Sequence, residues 1–108
     1  MKKVWIQTRN NDTGKARFCR QLMYCLTDYG YDCSFDEHKA DIVLGISKFK
    51  QHVPGAKHVL RVNGINILDT KESRWRNGKI ALSIYQADAV IWQSKFAKRF
   101  GYKLLAKP

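Results

Sequence analysis

The sequence is poor in acidic residues and has no long apolar segment. Its 108 residues include 9 Asp and Glu against 20 Lys and Arg, which gives a formal charge of +11. A membrane-spanning helix needs roughly 18 consecutive apolar residues, and no run approaches that length. The first residues lead into a short strand rather than into the apolar core of a signal peptide. We therefore expect a soluble, cytoplasmic protein.

Cysteine is also scarce. The three cysteines, Cys19, Cys25 and Cys33, are an odd number and show no C-x-x-C spacing. Disulfide frameworks and structural zinc sites need paired, regularly spaced cysteines. We interpret all three as buried, reduced thiols, and we expect neither a metal site nor a cofactor.

What is present is typical of one globular domain. Hydrophobic residues make up 44% of the chain and aromatic residues 12%, a composition that argues against disorder. A chain of 108 residues can build one ordinary core but not two. Because no repeat, low-complexity tract or linker divides it, we expect a single domain over residues 1–108.

The positive charge is unevenly distributed. Residues 61–108 carry ten basic and three acidic side chains. Such an excess favours an anionic partner, which can be a nucleotide-linked substrate, a nucleic acid or the acidic inner face of a membrane. A solvated basic surface without a specific ligand is the alternative, and charge alone does not separate these interpretations.

The chain opens with a strand, a polar loop and a helix. Residues 3–7 are a short apolar run of β-forming residues. The spacing of apolar residues predicts a helix over 15–29, with Asp12 or Thr13 as its N-cap and Gly30 at its end. This order is typical of the beginning of a nucleotide-binding α/β unit.

The polar loop does not match the known phosphate-binding motifs. A P-loop needs a glycine where Arg9 stands and a Ser or Thr where Ala16 follows Lys15. A dinucleotide fingerprint needs three glycines, and only Gly14 is present. A helix N-terminus still favours an anion through its unpaired N–H groups, and Arg9 and Lys15 are close to it. Anion binding and simple helix capping both stay open.

The remaining elements alternate along the chain. Apolar runs and turn residues predict strands over 31–36, 40–46, 57–62 and 89–92, and helices over 77–87 and 95–100. The long connection 65–76 is predicted as a loop, and His52 and His58 as parts of a solvated connection.

Two of these strands raise questions of position. Only three residues separate the second strand from the third, too few for a helical crossover. Either the chain crosses in an extended form or the second strand is a short edge piece. The strand 89–92 is wholly apolar, which predicts a central position with both faces covered.

The pattern as a whole predicts a single Rossmann-like, three-layer α/β domain with a mostly parallel sheet of about five strands. Ligands of such sheets bind where strands end and helices begin. Asn63 and Gly64 follow one strand, with Arg61 just before them, and Gln93 and Ser94 follow another. We expect these residues to line part of a site.

Two segments resemble a known family. RVNGI at 61–65, followed about 20 residues later by YQADAVIWQSKFAKRF at 85–100, resembles the N-terminal domain of the group 1 glycosyltransferases, which are retaining enzymes of the GT-B fold. The opening TGKARFCRQLMYCLTDYGYDCSF at 13–35 is similar to the family's glycine loop, first helix and second strand.

The resemblance implies the acceptor-side half of a nucleotide-sugar-dependent glycosyl transfer site. In the family, a second Rossmann-like domain holds most of the nucleotide-sugar, and that domain and its paired glutamates have no counterpart here. The implied partners are a nucleotide-sugar donor, a sugar or glycan acceptor and a donor-binding domain or chain. A fragment, a split enzyme and a reused binding module all fit this expectation, and the catalytic residue stays unknown.

The resemblance also implies site residues. They belong to the loop before the first helix and to the ends of the fourth and fifth strands: Asn11, Asp12, Thr13, Gly14, Lys15, Asn63, Gly64, Gln93, Ser94 and Lys95. Asp69 and Glu72 are candidate general bases by their chemistry alone. Family members generally need no bound metal.

Two other functions compete with this one. A basic module could bind nucleic acid or another polyanion, with Trp75 or Trp92 offering stacking, through Arg74, Arg76, Lys79, Lys95, Lys98, Arg99 and Lys103. Trp92 lies in an apolar strand and is expected in the core, and no nucleic-acid-binding motif is present. The third function is a protein-interaction subunit that docks through Leu104 and Leu105.

Overall fold

The computed structural model describes residues 2–9, 11–36, 39–62, 70–95 and 98–99. These ranges contain five strands and two helices. In chain order they are β1 (Lys3–Gln7), α1 (Gly14–Asp28), β2 (Asp32–Ser34), β3 (Ile42–Ile46), β4 (Lys57–Val62), α2 (Lys71–Gln86) and β5 (Ala89–Trp92).

The five strands form one sheet in the order β2-β1-β3-β4-β5, and every neighbouring pair is parallel. One helix covers each face, because successive residues of a strand point to opposite faces and contact different helices. The predicted α/β class, with three layers and a parallel sheet of about five strands, is confirmed.

The core consists of two apolar layers, one on each side of the sheet. Under α1, the strand residues Val4, Ile6, Leu44 and Ile46 pack with Cys19 of the helix. Under α2, a second cluster is formed by Leu60, Val62, Ile80 and Ile84. Burial of such a side chain contributes about 1.5–3 kcal/mol, so these layers hold both helices on the sheet.

Both alternatives for the second strand are correct: it is a short edge strand, and the chain crosses in a non-helical form after it. β2 is a short edge strand of three residues on one side of β1, and β3 pairs with the other side of β1. The chain therefore crosses from one side of β1 to the other between β2 and β3. This reversal makes the carboxyl ends of β1 and β3 the topological switch point, where open α/β sheets bind ligands.

The helix predicted over 77–87 begins six residues earlier than expected, so part of the predicted loop 65–76 is helical. Thr70 caps it, since the Thr70 hydroxyl accepts a hydrogen bond from the Ser73 backbone N–H at 3.1 Å. Glu72 adds a negative charge to the first turn, where the helix dipole favours it. The pair Asn77-Gly78 lies inside the helix, because the cap and the packing outweigh its turn propensity.

The predicted central position of β5 is wrong. Among the described strands β5 pairs only with β4, and it lies at the edge of the sheet. Its Val90 and Trp92 pack against the α2 layer, as expected for Trp92, but Ile91 on the other face is 49% exposed. An apolar run alone does not distinguish a central strand from an edge strand with one covered face.

Two further expectations need correction. Of the three free cysteines only Cys19 is buried; Cys33 is half-buried and Cys25 is exposed on α1. His58 falls in the predicted strand 57–62, but its side chain, which is expected to be solvated, is buried in β4. His52 is exposed, as expected.

The described residues contain no grouping of three or more His, Cys, Asp or Glu that could hold a metal ion. In the same part of the chain, neither helix has the length and apolar character required to cross a membrane.

The predicted helix 95–100 lies partly outside the described residues, although the Lys98 N–H donates to the Ser94 carbonyl at 3.0 Å, as in a helical turn. Leu104 and Leu105 lie outside them entirely.

Candidate functional site

The N-terminus of α1 lies at the carboxyl end of β1, where Asp12 directly precedes the N-cap. The Thr13 hydroxyl caps it by accepting from the Ala16 N–H at 3.2 Å, and the Asn11 side chain accepts from both the N–H and the hydroxyl of Thr13. The first turn contains no acidic residue. The cap satisfies only one of the N–H groups that a helix start leaves unpaired, so those of Gly14 and Lys15 can still bind an anion.

The connection after β3 is held firmly against the neighbouring strand end. The Gln7 side chain donates to the Gln51 carbonyl at 2.9 Å and accepts from the Lys50 N–H at 2.7 Å. Ser83 of α2 accepts from the Phe49 N–H at 3.2 Å. These contacts fix residues 49–51 between β1 and α2.

The turn at the start of this connection is tight. Ser47 has a φ of 63°, in the left-handed region that side-chain-bearing residues seldom adopt. The Phe49 ring lies against Gly45, where an added Cβ would come within 2.5 Å of the ring. Only glycine at position 45 allows this close approach of the Phe49 ring.

A cleft of about 440 Å³ lies between the first turn of α1, this turn and the first half of α2. We call it the carboxyl-edge cleft. Its lining residues are Lys15, Ile46, Ser47, Lys48, Trp75, Arg76, Lys79 and Ile80. It occupies the switch point between β1 and β3, where the topology predicts a ligand.

The carboxyl-edge cleft is strongly cationic. Four of its eight lining residues carry a positive charge and none carries a negative one. The nearest acidic residue along α2, Glu72, forms an exposed ion pair with Arg76 at 2.7 Å. The Lys79 ammonium lies 3.8 Å from the centre of the Trp75 ring. The cleft thus combines cations with an aromatic surface, which suits a ligand with both phosphate and planar groups.

A second cleft of about 500 Å³ continues on the other side of Lys48 and Lys79, which line both. We call it the loop cleft. Its other lining residues come from the connection after β3, from β4 and from the second half of α2: Phe49, Lys50, Gln51, His52, His58, Leu82, Ser83 and Gln86.

His58 in the loop cleft is a structural residue. Its Nε2 accepts from the Val53 N–H at 3.1 Å, so Nδ1 carries the hydrogen and donates to the Ala56 carbonyl at 3.1 Å. His52 stacks on it with ring centres 4.6 Å apart. Since both ring nitrogens are occupied, His58 has no lone pair left for proton transfer.

The structure brings only part of the predicted site together. Lys15 lines the carboxyl-edge cleft, and Asn11, Asp12, Thr13 and Gly14 precede it at the same helix start. Gln93, Ser94 and Lys95 are exposed and follow β5, at the same edge of the sheet but beyond β4. Asn63 and Gly64 lie outside the described residues, as does Asp69.

Arg61 points to the other face. Its guanidinium carbon lies 3.9 Å from the centre of the Phe18 ring of α1, and it lines neither cleft. Burial raises the pKa of the neighbouring Cys19 thiol, and the charges of Arg61 and Lys15 oppose part of that rise. Arg61 therefore acts at the interface between β4 and α1.

Several cleft residues had no place in the predicted sugar site, namely Lys48, Trp75, Arg76 and Lys79. The sequence could have predicted Lys48 as a site residue, because it follows the buried strand β3 and the carboxyl ends of parallel strands line ligand sites. Trp75, Arg76 and Lys79 are instead part of the polyanion surface that the sequence suggests as an alternative, and Trp75 and Arg76 fall in the segment predicted as a loop.

Thr8, directly after β1, has a buried side chain whose hydroxyl lacks any hydrogen-bond partner in the described part of the chain. Buried hydroxyls are normally paired, so this group is an exception at the switch point.

No carboxylate lines either cleft, so the described lining residues include no carboxylate base.

Comparison of the chain with protein-family models, with curated proteins and with solved structures found no match.

Proposed function

We propose that this chain forms the acceptor-side half of a retaining, nucleotide-sugar-dependent glycosyltransferase, and that the carboxyl-edge cleft receives the phosphate-bearing part of a substrate. The observation that carries the proposal is the position of four cations, Lys15, Lys48, Arg76 and Lys79, at the switch point of a parallel sheet. The reaction class comes from the resemblance of residues 61–65 and 85–100 to the glycosyltransferase family.

The chemistry of the cleft agrees with this role. Glycosyl transfer from a nucleotide-sugar releases a diphosphate, and positive groups oriented toward the leaving oxygen stabilise the charge that develops on it. Lys15 and the N-terminal N–H groups of α1 supply such groups on a rigid element. Lys48 approaches from the turn after β3, on the opposite side of the cleft.

The opposite wall of the active site has to come from a second domain or chain in this proposal. One lone half can bind a phosphate group but cannot enclose both donor and acceptor, and orientation of the two substrates supplies much of the rate. We therefore expect the 108-residue chain to bind nucleotide-sugars weakly and to have no transferase activity alone.

Titration calorimetry with uridine and guanosine diphosphate sugars tests the binding step. Lys15→Gln combined with Lys48→Gln should weaken binding at least ten-fold, because each loses a charge-assisted contact to phosphate. Lys39→Gln combined with Lys57→Gln is the matched control, since it removes the same charge at two exposed positions that line neither cleft. Binding that the double variant leaves unchanged would refute the site.

One observation favours a second candidate, a polyanion-binding module. Trp75 is 61% exposed and stands beside Arg76 and Lys79 in a cationic cleft, and an aromatic side chain among cations can stack on a nucleic-acid base. Binding of single-stranded oligonucleotides that weakens steeply with salt, and that Trp75→Ala lowers about five-fold or more, would favour this candidate over the transferase half.

A further inference from the structure

Helix α2 is apolar on two opposite faces. Its inner face packs on the sheet through Ile80 and Ile84. On its outer face three large side chains are exposed: Trp75 by 61%, Leu82 by 59% and Tyr85 by 74%. Spacings of seven and three residues bring them within an arc of about 80°. They therefore lie as a stripe on one side of the helix rather than being scattered around it.

Cations flank this stripe. Lys71 lies within the arc of the stripe, and Arg74 and Lys79 lie just beyond its two opposite ends. Lys48 and Lys50 line the loop cleft together with Leu82, so the connection after β3 adds two more positive charges along one flank. We call this surface, formed by Lys71, Arg74, Trp75, Lys79, Leu82 and Tyr85, the outer face of α2.

We propose that the outer face of α2 docks the protein on an anionic lipid bilayer. A surface-bound helix places Trp, Tyr and Leu at the boundary between headgroups and acyl chains, while Lys and Arg beside them bind lipid phosphates. The net charge of +11 is complementary to an anionic surface and attracts the whole molecule to it.

The composition of the stripe argues for lipid rather than nucleic acid. Trp75 and Tyr85 could stack on bases, but Leu82 has no π surface and gains only by leaving water. Its side chain is 59% exposed between the two aromatic residues, and an aliphatic group in this position gains free energy in the acyl region. The docked helix would lie flat, and its axis would be parallel to the bilayer surface.

Vesicle flotation tests the proposal with the full chain. The protein should float with vesicles of phosphatidylcholine and phosphatidylglycerol, and not with phosphatidylcholine alone. Trp75→Ser combined with Leu82→Ser and Tyr85→Ser should reduce the bound fraction at least ten-fold. The control is Tyr24→Ser with Tyr29→Ser, since these exposed residues are on and just after α1, on the other face of the sheet.

A charge variant tests the second element of the surface. Lys71→Gln with Lys79→Gln should lower the vesicle partition coefficient roughly 25-fold, at about five-fold for each cation near the surface. Arg17→Gln with Lys39→Gln removes the same charge elsewhere and should lower it far less. Equal losses from both pairs would show a diffuse attraction of net charge and would overturn the assignment to α2.

The unmodified protein provides a measurement that does not depend on any variant. Trp75 is exposed, whereas Trp5 is buried and Trp92 is half-buried against the α2 layer, so Trp75 should dominate quenching by lipids brominated on the acyl chain. Quenching with anionic vesicles supports docking through the stripe. Binding without quenching, absence of vesicle binding, or preference for an oligonucleotide over anionic vesicles would each overturn the proposal, whatever the outcome of nucleotide-sugar binding.

Discussion

At the scale of single residues, the molecule uses polar side chains mainly to build the carboxyl edge. Gln7 contributes both ends of its amide to the connection after β3, and Thr13 and Asn11 shape the start of α1. At the opposite edge, Asp41 and Asp88 accept from the backbone N–H groups of Lys3 and His58. These carboxylates fix the register of neighbouring strands, and they are used for structure rather than for chemistry.

Replacement of Thr8 by valine should leave the free energy of unfolding unchanged or raise it by up to about 1 kcal/mol. The hydroxyl is buried without a partner, and valine keeps the shape while removing the desolvated polar atom. Urea unfolding at neutral pH measures the change. Thr8→Ser is the control, because it keeps the hydroxyl and loses the methyl group, and should destabilise. A loss of more than 1 kcal/mol in Thr8→Val would mean that the hydroxyl has a partner.

The Cys19 thiol predicts a loss of stability at alkaline pH. Burial raises its pKa above the ordinary value of 9.0, so the fold favours the neutral thiol. Its contribution is complete below the pKa of the unfolded chain and is lost as the pH rises through the folded pKa.

Unfolding free energies should therefore fall as the pH rises above about 9, less steeply in Cys19→Ala than in the parent chain. The half-buried Cys33 thiol, whose pKa burial also raises, leaves a residual slope in that variant. Thiol-labelling rates give a second measurement: the exposed Cys25 should react first and Cys19 last. If the parent and the variant lost stability equally with pH, the alkaline loss could not be due to the Cys19 thiol.

At the scale of elements, capping and burial decide what the local pattern leaves ambiguous. β1, β4 and β5 have the predicted bounds, and α1 differs from its prediction by one residue at each end. Each of these segments has a clear pattern of apolar residues and is bounded by turn residues. β2 is shorter than predicted because only three of its residues reach β1, and α2 is longer because a hydroxyl at Thr70 starts it early. Local propensity does not show which residues pair with a neighbouring strand or cap a helix, and these contacts set the lengths of β2 and α2.

Thr70→Ala should lower the free energy of unfolding by about 1 kcal/mol, since it removes the N-cap of α2. Thr27→Ala is the matched control, because the Thr27 hydroxyl bonds only to the Met23 carbonyl within α1 and is exposed. Thermal unfolding followed by circular dichroism compares the two. If Thr70→Ala and Thr27→Ala behaved alike, a start of the helix near Asn77 would regain support.

At the scale of the whole molecule, charge and topology act together. The parallel order places α1, the turn after β3 and α2 around one edge, and the cations of all three meet there. The ion pair Glu72–Arg76 is exposed, and 20 basic side chains stand against 9 acidic ones in the sequence, so the molecule keeps a net charge of +11. The clustered cations favour an anionic ligand, and they also repel one another in its absence.

Raising the salt concentration from about 0.01 to 0.15 M should stabilise the fold, because the Debye length falls from about 30 to 8 Å and repulsion among like charges weakens. Chemical unfolding in urea, which adds no ions, measures this. A variant with Lys39→Gln and Lys57→Gln, two exposed positions outside the clefts, should respond less. A steady loss of stability with added salt would show that attractive pairs dominate.

The sequence by itself determined the α/β class, the parallel sheet and, within one residue, the capped start of α1 after Thr13, because hydrophobic periodicity and helix caps are local properties of the chain. Only the tertiary structure decided that β5 lies at an edge, that His58 is buried, and that Lys48, Arg76 and Lys79 join Lys15 around one cleft. These facts depend on the order of strands in the sheet and on which face each helix covers. Both follow from contacts between residues distant in the chain, which no local pattern encodes.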